Sequence, residues 1–210
     1  MTVVVLANDE MKAELLAQGM DAAVQVQWIG DVTQFHKYPE ASAYVDLLFE
    51  WEDERCQLLK ELPARPVIIA SMARDTTNMA AHFVCINAWP TFLKRPLVEA
   101  YCVSDSIRTE TEKLFAAFNR KISWTADVSA FVTARVVAMI INEAYYTLQE
   151  AVSTKAEIDT AMKLGTNYPY GPFEWSEKIG IQQIAGLLDN LAIDNPVYTP
   201  APLLKLEALS

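Results

Sequence analysis

The chain has 210 residues, 52% of them hydrophobic, and a formal net charge of −10. That apolar content can bury a substantial core, which excludes intrinsic disorder, and the length suits one or two domains. The acidic balance excludes a general nucleic-acid binder, which needs a basic face to neutralise phosphates, and it would repel an anionic membrane surface.

The first part of the chain alternates strand and helix patterns. "TVVVLA" (2–7) is a β-branched run of strand length, and "NDEMKAELLAQG" follows it as a helix with Asn8 or Asp9 as N-cap and Gly19 at its far end. "AAVQVQWI" (22–29) alternates as a strand, and "AYVDLLFE" (43–50) is another apolar run. "DERCQLLKEL" (53–62) carries Cys56, Leu58, Leu59 and Leu62 at helical spacing, until Pro63 and Pro66 stop it. "PVIIAS" (66–71), "HFVCINAW" (82–89) and "VEAYCVS" (98–104) read as further strands. "SIRTETEKLFAAFNR" (106–120) reads as an amphipathic helix with Ile107, Leu114, Phe115 and Phe118 inward. Such alternation implies a mostly parallel sheet with helices on its faces.

From about residue 124 the pattern is helical throughout. Residues 126–152 contain no glycine or proline and are apolar on most faces, which predicts one long buried helix. In "TKAEIDTAMKLG" (154–165), Thr154 and Glu157 form a capping box and Gly165 is placed to end the helix. A helix starting at Pro172 is expected through 171–191, then a proline-broken tail with one short helix. The expected domains are therefore 1–123, α/β, and 124–210, all-α.

Cys56, Cys85 and Cys102 are odd in number and widely spaced, so buried free thiols are expected rather than disulfides. Two histidines and no CxxC give no zinc pattern. No basic leader and no apolar run of roughly 18 residues are present, so a soluble cytoplasmic protein without a membrane partner is expected.

Residues 130–180 resemble the C-terminal domain of the 3-hydroxyacyl-CoA dehydrogenases. The resemblance is carried by Arg135, Asn142-Glu143-Ala144, Asp159, Ala161-Met162, Gly165, Pro169 and Gly171-Pro172, which fall in register with that family's long helix and its D-x-A-M-x-x-G-x-x-x-P-x-G-P segment. "IIASMARDT" (68–76) and "INAWPTFLKRPLVEA" (86–100) resemble the family's first domain more weakly, in the same order. The resemblance implies a Rossmann-like domain followed by a helical dimerisation domain. It also implies oxidation of a 3-hydroxyacyl-CoA by hydride transfer to NAD.

Each functional part departs from that pattern. A dinucleotide loop needs glycines so that backbone amides can approach a pyrophosphate at a helix N-terminus. Here Ala7, Asn8, Asp9 and Glu10 stand there, two of them carboxylates, and Asp31 is the acidic residue next in line for a ribose. The family's general-base histidine lies twelve positions before the glutamate of its LVE motif. Counting back from Glu99 reaches Asn87, whose amide does not titrate. The family's substrate-supporting serine falls on Arg74, with Ser71 three positions earlier, and its asparagine falls on Ala134. Lys94 and Arg95, with Trp89 and Phe92, could meet a CoA phosphate and adenine, or form an ordinary basic turn. His82 opens "HF" and is the other histidine able to act as base; His36 lies in a polar loop.

The expectation is a 3-hydroxyacyl-CoA dehydrogenase-like protein, degenerate in its NAD loop and catalytic residues, with no bound cofactor, an acyl-CoA or a partner as ligand, and a homodimer through the helical domain. The alternative is an active NAD-dependent L-3-hydroxyacyl-CoA dehydrogenase with His82 as base and NAD as cofactor.

Overall fold

β-branched runs build the sheet and leucine- and alanine-rich runs build the helices of the chain, whose computed structural model describes residues 1–72, 79–126 and 131–209. It divides into two compact units, Met1–Phe131 and Val132–Ser210. Unit one contains β1 (Thr2–Leu6), α1 (Asp9–Leu16), β2 (Gln25–Ile29), a 3-10 turn (Val32–Lys37), β3 (Ala43–Asp46), α2 (Asp53–Lys60), β4 (Val67–Ala70), β5 (Phe83–Ile86), β6 (Leu97–Tyr101), α3 (Asp105–Ala117) and β7 (Lys121–Trp124). The strand order is β2-β1-β3-β4-β5-β6-β7. Neighbours are parallel except β5 and β6, which run antiparallel. This is a Rossmann-like sheet. The chain leaves β1 for β2 on one side and enters β3 on the other, so the crevice outside the carboxyl ends of β1 and β3 is the topological switch point where such sheets take ligands.

Val3, Val5, Leu15, Val45, Ile68, Val84, Ile86 and Val98 form the sheet's core with Ile107, Leu114, Phe115 and Phe118 of the α3 region, the inward face expected from sequence. Two features were not expected. Residues 121–124 add a seventh strand, because "KIS" pairs Lys121, Ile122 and Ser123 with Leu97, Val98 and Glu99. The connection from β2 to β3 carries only the 3-10 turn, started by Asp31, whose carboxylate accepts the Thr33 N–H at 2.9 Å and the Thr33 hydroxyl at 2.6 Å.

Unit two is all-helical: α4 (Val132–Gln149), α5 (Lys155–Thr166), α6 (Pro172–Ile179), α7 (Ile181–Ala192), a 3-10 turn (Pro196–Tyr198) and α8 (Pro202–Ala208). Three expectations need correction. The long helix begins at Val132 and ends at Gln149; residues 127–130 of the expected span lie outside the described residues. Eighteen residues give about 27 Å of helix. The expected single helix over 171–191 is broken at Gly180, whose φ of 95° no helix accepts. Gly165 does not end α5. Asn167 takes the left-handed conformation instead, at φ 57° and ψ 33°, a region that asparagine tolerates because its short amide bonds locally.

The family-like segment has a direct physical explanation. Asp159 of α5 is buried and caps the next helix from outside, accepting the Phe173 N–H at 2.8 Å and the Glu174 N–H at 3.3 Å. Its side chain lies against the Gly171 Cα, so close that a Cβ at 171 would fall 2.3 Å from Asp159 Oδ1. Only glycine fits, and Pro172 then opens α6 at its first turn. Glu174 accepts the Gly171 N–H at 2.9 Å and pairs with Lys163. Trp175 fills the corner against Tyr168 and Tyr170. Asn142 has a comparable role. Its buried amide donates to Thr199 O at 3.0 Å and accepts from Ala201 N at 2.7 Å, bracketing the tail. Tyr145 donates to Glu207 at 2.8 Å, and Gln149 accepts from Leu203 N at 3.2 Å. One face of α4 thus holds the C-terminal segment.

Candidate active site

The strand ends of unit one bring several of the named residues together. Antiparallel pairing of Ile86 with Ala100 places Asn87 opposite Glu99. The Asn87 N–H donates to Glu99 O at 3.1 Å, and its amide Nδ2 reaches Glu99 Oε2 at 3.5 Å, a long contact. The Trp89 N–H donates to Asn87 Oδ1 at 3.1 Å, which turns the amide nitrogen toward the carboxylate. Asn87 is buried and Glu99 half-buried. The twelve-residue spacing read from sequence is therefore the geometry of an antiparallel strand pair. Ala70 pairs with Ile86 on the other side, so Ser71 and Asn87 are neighbours at the same edge. Ser71 is buried, and its hydroxyl accepts the Trp51 indole N–H at 2.8 Å. Arg74 lies outside the described residues.

His82 is not part of this group. It precedes β5 at the amino end, where its Nε2 lies 3.5 Å from Leu59 O and its ring meets Phe83 edge-on. Five residues of extended chain, about 17 Å, separate it from Asn87. Burial pushes its pKa below the ordinary histidine value, only partly offset by the Leu59 carbonyl. His36 sits in the 3-10 turn after β2. Ala134 is buried in α4.

Lys94 and Arg95 follow a loop pinned to α1. Gln18 donates to Lys94 O at 2.9 Å, and Glu14 accepts the Thr91 N–H at 2.5 Å. Buried Arg120 donates to Leu93 O, Phe118 O and Glu14 O at 2.9, 2.8 and 2.7 Å. Arg95 stacks over Phe92 at 4.3 Å. The Lys94 side chain is exposed.

At the switch point the residues do not suit a dinucleotide. Asn8 caps α1 with its own side chain, accepting the Met11 N–H at 2.9 Å, and Asp9 and Glu10 fill the first turn. A pyrophosphate there would compete with the Asn8 side chain for the Met11 N–H and would meet two carboxylates, of which Asp9 is paired with Lys12. Asp31, the residue in line for a ribose, is committed to Thr33, whose hydroxyl and N–H hold its pKa below the usual carboxylate range.

Sequence reasoning missed the neighbouring cluster. Asp46, the last residue of β3, is fully buried and takes a bidentate ion pair from Arg55, at 2.9 Å from Nε and 2.7 Å from Nη2. Burial pushes the Asp46 carboxyl up, and Arg55 pulls against it. The signal was available: the Asp46 carboxylate, flanked by apolar residues in "AYVDLLF", needs a partner when buried. Among the described residues no group of three or more His, Cys, Asp or Glu could hold a metal ion, and no helix is long and apolar enough to cross a membrane.

A Rossmann-like sheet followed by a helical unit of this signature defines a class, the two-unit hydroxyacyl-CoA dehydrogenase architecture. The family model for the 3-hydroxyacyl-CoA dehydrogenase C-terminal domain matches residues 131–206. Through these residues the chain belongs to the 3-hydroxyacyl-CoA dehydrogenase family. It is 36% identical over 165 residues to the 3-hydroxyadipyl-CoA dehydrogenase of Escherichia coli, covering 78% of this chain and 31% of that one. It is 30% identical over 139 residues to the 3-hydroxybutyryl-CoA dehydrogenase of Bradyrhizobium diazoefficiens, covering 65% and 47%. The chain thus spans between about a third and a half of these relatives' length. The crystal structure of (S)-3-hydroxybutyryl-CoA dehydrogenase from Ralstonia eutropha superposes with a TM-score of 0.74 at 17% identity, over 97% of this chain and 92% of that one, a likeness of fold.

Proposed function

We propose that this chain is a 3-hydroxyacyl-CoA dehydrogenase-like protein that has lost hydride transfer and retains an acyl-CoA or a protein partner as its ligand. The observation that carries this reading is Asn87 standing opposite Glu99 at the strand ends. There the family resemblance calls for an imidazole to take the hydroxyl proton. Asparagine can donate and accept hydrogen bonds but has no proton-accepting form at neutral pH. The other histidine able to serve, His82, sits at the far end of β5 against Leu59 O. The capped, acidic start of α1 supports the same reading, since it disfavours the pyrophosphate of NAD. The names of the relatives point to an acyl-CoA as the ligand class. What this chain's own residues offer such a ligand is a hydrogen-bonding edge of Ser71, Asn87 and Glu99. They supply binding and orientation, with no proton transfer step.

The chain acts as a homodimer through its helical unit in this proposal. Val132 and Val136 of α4 are 60% and 48% exposed, with Met139 and Ile140 partly covered. Ile140, Ala144, Ile158, Ala161, Met162 and Pro172 line a groove of about 390 Å³ beside them. A second copy would cover this apolar face by a two-fold contact. Calorimetric titration tests the ligand reading. NADH should bind with a dissociation constant weaker than about 100 μM, roughly 5.5 kcal/mol, while acetoacetyl-CoA should give a saturable signal without NADH. Tight NADH binding would overturn the proposal.

A further inference from the structure

The segment between β3 and α2, Leu47 to Glu52, is tied to the sheet at both ends: the Leu47 N–H donates to Leu6 O of β1 at 2.9 Å, and the Trp51 indole reaches Ser71, the residue after β4. Its root is firm. Asp46 is the last residue of β3, fully buried, held by both Arg55 bonds, and it accepts the Leu48 N–H at 3.1 Å. Leu47 and Phe49 are buried behind it, and the Arg55 guanidinium lies 6.0 Å above the Phe49 ring. Its tip is held differently. Trp51 is 40% exposed, meets Phe49 edge-on at 4.9 Å, and gives its indole N–H to Ser71 Oγ. Glu52, the N-cap of α2, makes no side-chain capping bond, so the far end of the segment lacks the support that Asn8 gives α1.

We propose that Leu47–Glu52 is a strap that gates the polar strand-end site, hinged at Asp46–Arg55 and latched at its tip by the Trp51–Ser71 hydrogen bond. This deepens the ligand-binding reading above and rests on it for what the gate admits. The difference between root and tip sets the direction of motion. The bidentate buried ion pair resists separation, because either partner alone would be a buried unpaired charge. The tip gives up one neutral hydrogen bond and one ring contact, with water ready to replace the bond at a half-open surface. Opening uncovers the Ser71 hydroxyl, the neighbour of Asn87, together with the Phe49 ring. A ligand that fits in place of the indole carries one N–H or O–H donor on an apolar or flat group, which is the chemistry that Trp51 presents to Ser71.

Hydrogen exchange read by mass spectrometry on the full chain, over the peptide containing residues 47–52, tests the latch. Trp51→Phe keeps a ring and removes the donor, and Ser71→Ala removes the acceptor. Each should speed exchange in this peptide about fivefold, the factor that one ordinary hydrogen bond is worth. The effect of the double variant should fall short of the sum of the two single ones, because the two share one bond. Exchange over α1 should stay unchanged, which separates gate opening from general destabilisation. Unchanged exchange in both single variants, or additive effects in the double, would overturn the strap. Turnover or NADH binding by the unaltered chain would overturn the function proposed above and leave this readout intact. Should Trp51→Phe restore tight NADH binding, the strap stands as a gate and the acidic start of α1 is not the barrier.

Discussion

Two glycines six residues apart should respond oppositely to the same substitution. A Cβ at Gly171 would fall 2.3 Å from Asp159 Oδ1 and 2.4 Å from its Cβ and Cγ, closer than non-bonded atoms approach. The Asp159 Cβ belongs to α5 and cannot swing away, so Gly171→Ala must separate α5 from the start of α6. That breaks the Asp159 bonds to Phe173 N and Glu174 N. Bonds to a charged group are each worth about 1.5–3 kcal/mol net and overpacking costs a further 1–3, some of which relaxation recovers. A loss of about 3 kcal/mol follows, or roughly 12–24 °C in Tm for a unit of this size. Gly165 lies inside α5 with nothing within 4 Å of the added carbon. Gly165→Ala should stabilise by about 0.5–1 kcal/mol, the usual cost of glycine in a helix. Hydrogen exchange over the α5 and α6 peptides during urea titration, read by mass spectrometry, follows both variants without the signal of unit one, which holds the other four of the five tryptophans. A Gly171→Ala loss below about 0.5 kcal/mol, or a Gly165→Ala loss of 1 kcal/mol or more, would refute the reasoning.

Asn142→Ala removes both bonds to the tail and strands the Ala201 N–H, which should cost about 2–3 kcal/mol and open the chain after residue 195 to limited proteolysis, read by intact mass. The Glu157 carboxylate is held below its usual range by the Thr154 N–H and the Ser153 and Thr154 hydroxyls, and Glu174 by Lys163 and the Gly171 N–H. Folded values below unfolded ones mean that their stabilisation is full above about pH 4.3 and is lost as pH falls through the lower folded values. Helical-unit stability, read by hydrogen exchange over the α5 and α6 peptides, should therefore fall below about pH 4.3, and a flat profile down to about pH 2 would count against these contacts. Light scattering at low micromolar concentration should give twice the 23.5 kDa chain mass, and Val136→Glu should shift it toward a single chain.

Local signals made most of the architecture legible. The valines of β1, the Thr154–Glu157 box and the Pro172 start each report on their own few residues, and each stands where the pattern placed it. The inward face of α3 was equally plain from its spacing. Features set by distant contacts were not legible. "KISW" alternates polar and apolar residues but over only four positions, and it is fixed as a strand by pairing with β6. Gly165 looked like a helix end because glycine usually is one, yet the chain reverses at Asn167. Asp159, Gly171 and Asn142 were recognisable as a signature without a reason, since the reason is contact across 12 to 59 positions of sequence. At the site, the Asn87–Glu99 spacing came from the family resemblance, and the antiparallel pairing of β5 with β6, which turns that separation into a contact, was not read from the sequence. The Trp51–Ser71 bond joins two strand-end loops through the sheet order, which no local pattern encodes.

The proposed loss of hydride transfer is tested most directly by following absorbance at 340 nm with NADH and acetoacetyl-CoA, for the unaltered chain and for His82→Ala. With Asn87 in place of a base and a capped, acidic start to α1, both proteins should show no rate above the protein-free control. Turnover within about tenfold of 10 s⁻¹, the median for enzymes, would contradict the account. Abolition of that turnover by His82→Ala would make His82 the base and the chain an active dehydrogenase.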